Sequence, residues 1–129
     1  MEVFRREDVP LIIDTGNVQI RAREVGGMMM VFYRFAKGAD LHPALHGLPG
    51  DACTCPHWGY VLSGKLRIHT VDGAREVAAG QAFYVEPGHY PEALADTEMV
   101  ELSPSQELRV VGEHILRAAA AHYRPATMA

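Results

Sequence analysis

Residues 53–65 read Cys-Thr-Cys-Pro-His-Trp-Gly-Tyr-Val-Leu-Ser-Gly-Lys. Side chains of a β-strand alternate between faces, so Cys53, Cys55 and His57 project from one side and Trp58, Tyr60 and Leu62 from the other. Asp51 joins the first set if the strand begins early. Beyond Gly59 the first face continues with Val61 and Ser63, so sulfur and imidazole gather at one end of the strand and packing groups at the other. In a closed sheet this puts chemistry at the mouth and filler at the floor. Large side chains on both faces predict a central strand covered on both sides, by the chain's own helix and by a second copy in a homodimer.

The neighbouring segments carry the same period. Val18, Ile20 and Ala22 alternate with polar residues, and Met28 to Phe35 is a more fully apolar strand closed by Lys37-Gly38-Ala39-Asp40. Residues 41 to 52 form a loop rich in Pro, Gly and His, of a length that often carries function. Strand signals then recur at Lys65–Thr70, Arg75–Val77, Gln81–Val85 and Glu98–Leu102, separated by Val71-Asp72-Gly73-Ala74, Gly80 and Pro87-Gly88. Such spacing predicts an all-β sandwich or barrel. Ser103, Pro104 and Gln106 have the order of a capping box, which predicts a helix from here to about Tyr123, ended by Pro125. Leu108, Val111, Ile115, Leu116 and Ala119 give that helix one apolar stripe to lay on the sheet.

With 129 residues and no repeat or low-complexity linker, the chain suits one domain. Twelve Lys and Arg against sixteen Asp and Glu leave a net charge of −4, and the basic residues are scattered, which excludes the electrostatic footprint of a nucleic-acid binder. No apolar run has the length of a spanning helix, and the N-terminus lacks the order of a signal peptide, so a cytoplasmic protein without a membrane partner is expected. Cys53 and Cys55 are the only cysteines. In an extended strand their Cα atoms lie about 6.6 Å apart, at the upper limit for a disulfide, which favours free thiols or metal ligands.

Two stretches carry a family resemblance. Residues 51–64 resemble the first motif of the cupin superfamily, usually His-x-His, then Glu, then Gly, and Gly80-Gln81-Ala82-Phe83-Tyr84-Val85-Glu86-Pro87-Gly88-His89 is similar to its second. Counting back from Gly64 puts His57 at the Glu position and Asp51 and Cys53 at the two His positions. In the second motif Gly80 and Gly88 match, Glu86 replaces a Pro, Pro91 stands at the usual His and Ala95 at the usual Asn, with His89 two residues early. The resemblance implies a jelly-roll, a double-stranded β-sandwich barrel over residues 28–104. Residues 1–27 would then pack on the barrel or a partner, and residues 105–129 would form the C-terminal helix and tail. None of the four usual ligand positions keeps its usual residue, so the standard iron or manganese centre does not carry over.

What replaces it is a substituted set: His57, His89, Cys53 and Cys55, with His42 on the preceding loop and His46 as a weaker candidate. Thiolate with imidazole favours zinc among divalent metals; three such ligands leave a position for water and four close the site. Asp51 and Glu86 are the candidate proton-handling carboxylates beside an open site. Glu101, on the last strand, has two readings, an acid or base like Glu86 or, as a lone carboxylate, a surface charge, while His69, His114 and His122 fit solvated positions. The sequence leaves two further readings open. One is a metal-free module that binds a small molecule or acts as a sensor, and the other is a non-haem iron oxygenase using two histidines and a carboxylate such as Asp51.

Overall fold

The computed structural model describes residues 1–122, with side chains through residue 118, so Tyr123, Pro125 and the side chains of Ala119 and His122 lie outside the description. Nine strands precede one helix: β1 (Leu11–Asp14), β2 (Val18–Val25), β3 (Met28–Phe35), β4 (His57–Ser63), β5 (Lys65–Thr70), β6 (Gly73–Ala78), β7 (Ala82–Val85), β8 (Tyr90–Ala93), β9 (Thr97–Pro104) and α1 (Ser105–His122). They form a six-stranded sheet in the order β1-β2-β3-β9-β4-β7 and a three-stranded sheet in the order β6-β5-β8. Every pairing between these strands is antiparallel. The all-β sandwich with a C-terminal helix is therefore present.

The period-two pattern decides what faces inward. Val18, Ile20 and Ala22 of β2 and Val31, Tyr33 and Phe35 of β3 are buried, and across the gap Leu66, Ile68, Val77 and Ala93 close the same core from the smaller sheet. Burying one such side chain contributes about 1.5–3 kcal/mol, so the alternation itself holds the register. On β4 the inward residues are His57 and Val61, and the exposed ones are Trp58, Tyr60 and Leu62.

Three expectations change. The central strand begins at His57, because the chain bends at Cys55 and Pro56 has no N–H to give to a ladder. β9 runs on to Pro104 and the helix starts at Ser105, so Ser103 is a buried strand residue and not a helix cap. The helix does not cover the outer face of β4, where Trp58 remains 47% exposed. Instead Val111, with Leu108 and Ile115 beside it, packs on Leu45, Cys53 and Cys55 and closes one end of the sandwich. Among the described residues no helix is long and apolar enough to cross a membrane.

Candidate metal centre

Three chain segments meet at the closed-off end of the barrel. Cys53 and His89 form an isolated antiparallel bridge, with Cys53 N–H donating to the His89 carbonyl at 2.8 Å and Gly88 N–H to the Cys53 carbonyl at 2.7 Å. The turn that makes this possible runs through Pro87 and Gly88, the latter at φ 97°, a conformation that favours glycine. His57 enters from the start of β4, between Val85 of β7 and the end of β9. The Cys53 sulfur and one ring nitrogen each of His57 and His89 lie within 4.8 Å of one another, and all three side chains are buried. The two imidazoles meet edge to face with centroids 4.9 Å apart, and Cys53 Sγ is 3.4 Å from His57 Nε2.

The tautomers follow from the partners. His89 Nδ1 is 2.6 Å from the Glu86 carbonyl oxygen, which can only accept, so Nδ1 carries the proton and Nε2 keeps its lone pair. His57 Nδ1 lies 2.7 Å from Ser103 Oγ, a hydroxyl able to accept from it or donate to it, and 3.4 Å from Glu101 Oε2; in the Nδ1–H tautomer the hydroxyl accepts and Nε2 keeps its lone pair. His57 Nε2 faces the Cys53 sulfur and His89 is left with Nε2 as its free nitrogen, an arrangement in which outer partners orient imidazoles for ligation.

Burial sets the charges. It pulls His57 down to about 4 and holds His89 below its usual value, His57 adding to the latter, so both are neutral near pH 7 and able to coordinate. It pushes the Cys53 and Cys55 thiols up to about 12. A bound cation reverses that for a ligating sulfur, since a coordinating thiol is deprotonated outright. Glu101 is raised to about 7 by burial, against a hydrogen bond from Tyr33 and the field of His89 that lower it, and its Oε2 has no hydrogen-bond partner. A buried orphan carboxylate oxygen beside two neutral imidazoles is the polarity that a nearby positive charge would satisfy.

The other expected residues lie elsewhere. Cys55 follows the bend away from the trio, its Sγ 3.3 Å from the Pro56 carbonyl, in the cluster under the helix. His42 stacks on Tyr90 at 3.8 Å. Asp51 accepts the Gly47 N–H and sits beside His46, so the two-histidine-one-carboxylate set with Asp51 is not assembled. Glu86 contributes its carbonyl to His89, while its side chain is exposed. His69 is not simply solvated: it bonds Glu92 at 2.9 Å and stacks on the other side chain of that group, Tyr90. His114 anchors the loop through the His46 carbonyl.

Glu101 is the reverse case: of its two readings the surface charge does not hold, and the carboxylate is buried at the site. Ser103 and Tyr33 also belong to the centre, and the one sequence signal for them is parity: Glu101 and Ser103 alternate with Val100 and Leu102 on β9. From the trio a cavity of about 220 Å³ extends between the sheets toward α1, walled by residues such as Ile20, Val31, Leu66, Ile68 and Phe83.

No protein-family model matches the chain, and no curated protein matches it. Solved structures do. An RmlC-like cupin from Shewanella frigidimarina superposes with a TM-score of 0.62 at 19% identity, over 81% of this chain and 91% of that one. Ectoine synthase from P. lautus gives 0.61 at 17% identity, over 81% and 78%. KdgF from Halomonas sp. gives 0.60 at 23% identity, over 81% and 94%. The chain has the cupin jelly-roll fold, and at these identities the likeness is one of fold.

Proposed function

We propose that this protein binds a divalent cation, zinc, through Cys53 Sγ, His57 Nε2 and His89 Nε2 at the end of its barrel. One observation carries the reading: the Cys53 sulfur and a ring nitrogen from each of two buried imidazoles converge, with the Nδ1 proton of His89 held by a carbonyl and His57 Nδ1 beside the Ser103 hydroxyl, which leaves Nε2 as the free donor atom. One thiolate with two imidazoles suits zinc better than the harder divalent ions. A zinc ion held by three protein ligands supplies a Lewis-acid position where a water or a substrate oxygen is polarised. Ser103 and Glu101 orient His57, apolar side chains wall the cavity beside it, and Glu101 lies close enough to hold a proton beside the open position. Free, buried thiols suit a reducing compartment, which supports the cytoplasm as the place of action.

The test is elemental analysis of untagged protein purified without chelator. Near-stoichiometric zinc is expected in the parent and its loss in His57→Ala and Cys53→Ser. A parent free of metal, in a protein that folds, overturns the proposal. It would leave the second reading, a metal-free small-molecule-binding module, which the apolar walls of the cavity favour.

A further inference from the structure

We propose that the molecule this cavity takes is small and largely hydrocarbon, with a single oxygen-bearing head, and is neither a polyol nor a diacid. The head rests on the metal reading above; the hydrocarbon body rests on the cavity alone. The walls supplied by Ile20, Val31, Leu66, Ile68, Phe83 and Met99 offer no hydrogen bond. Among the lining residues the polar groups are confined to two places. One is the barrel end that holds Tyr33, Glu101 and the Cys53, His57 and His89 trio, and the other is the outer edge of the helix, with Arg109 and the exposed Glu113. Arg109 is exposed and already paired with Glu24. A guest lying between the sheets therefore meets polar partners beside the trio and hydrocarbon over the rest of its length.

Size follows from the volume. A dry cavity of about 150 Å³ accommodates benzene, so by proportion the 220 Å³ here has room for about nine heavy atoms. Each methylene moved from water into such walls tightens binding about fourfold, until the space is filled. Each hydroxyl left facing them without a partner weakens it about 5- to 150-fold. Selection for a hydrocarbon body and against a sugar-like one is thus a property of the lining, whatever the head engages.

The experiment titrates straight-chain primary alkanols, from propanol to decanol, into zinc-loaded and chelator-treated protein. The methyl NMR signals of Ile20, Leu66 and Ile68 report entry, and glycerol and oxalate are the polar comparators. The expected result is a tightening of about fourfold per carbon that levels off near nine heavy atoms, in both forms, with the whole series tighter by tenfold or more when zinc is present. A series of equal affinity in both forms upholds the hydrocarbon body and overturns the head's anchoring by metal. Zinc-loaded protein that ignores chain length, or that prefers glycerol or oxalate, overturns the inference while leaving the metal centre standing.

Discussion

Ser103 is fully buried, and its hydroxyl, the acceptor in the Nδ1–H tautomer, is 2.7 Å from His57 Nδ1. Ser103→Ala removes that acceptor and leaves Glu101 Oε2 at 3.4 Å as the nearest substitute, a poorer hydrogen bond. Loss of such an outer partner lowers metal affinity about 10- to 100-fold, which is about 1.4–2.7 kcal/mol. The metal-free fold should lose only about 1 kcal/mol, the net worth of one hydrogen bond, provided the carboxylate takes over the N–H. Competition of zinc between the protein and a chromophoric chelator at pH 7 measures the first quantity, and urea unfolding of chelator-treated protein measures the second. The two must differ: a variant whose zinc affinity stays within about threefold of the parent, in a protein that remains folded, refutes the idea that Ser103 orients a ligand.

Three other outcomes are expected. In the metal-free protein, His57 protonates near pH 4 against 6.5 when free, so the unfolded chain takes up that proton first and stability is lost as pH falls from 6.5 to 4, by about 3 kcal/mol. His89 adds to the loss in the same direction. Glu101, which keeps its proton up to about 7 against 4.5, returns stability as pH falls through that interval. The parent's urea midpoint should therefore change little from pH 7 to 4.5 while that of Glu101→Gln falls steadily, and parallel profiles would contradict the opposition of charges. Gly64 has φ 86°, and a Cβ there would lie 2.2 Å from the Asp96 carbonyl oxygen. Gly64→Ala should cost about 2–5 kcal/mol in urea unfolding, and a cost under about 1 kcal/mol would mean that the turn relaxes freely. Finally, Trp58, Tyr60, Tyr84 and Leu102 form an exposed apolar face on the larger sheet, with the Trp58 and Tyr84 rings 5.0 Å apart. Such a face suits a second copy of the chain: the parent should sediment as a dimer and Leu102→Arg as a monomer, and a monomeric parent removes that role from the face.

Most strands were legible because alternation is a local property. Residues two apart share a face whatever the rest of the chain does, which is why Val18–Ala22 and Met28–Phe35 could be oriented directly. The same rule fails where the strand does. It groups Cys55 with Cys53 and His57, yet the bend at Cys55 and the missing N–H of Pro56 interrupt the ladder just before His57. On β9 it misleads in another way, since the apolar pair Val100 and Leu102 lies on the outer face and Glu101 and Ser103 point inward. A hydrophobic count there turns the strand over and makes Glu101 a surface charge.

The sequence by itself therefore determined the β-architecture, the inward parity of β4 from His57 onward, and the candidacy of Cys53 and His57, because each follows from periodicity or turn chemistry within a few residues; the candidacy of His89 came from the resemblance of residues 80–89 to the second cupin motif. The tertiary structure alone decided which candidates meet. Cys53 reaches His89 through a bridge spanning 36 positions, and His57 reaches Ser103 across 46. Pairings of that separation are fixed by how two sheets bury their inner faces against each other, a global balance of packing that no short window of residues contains.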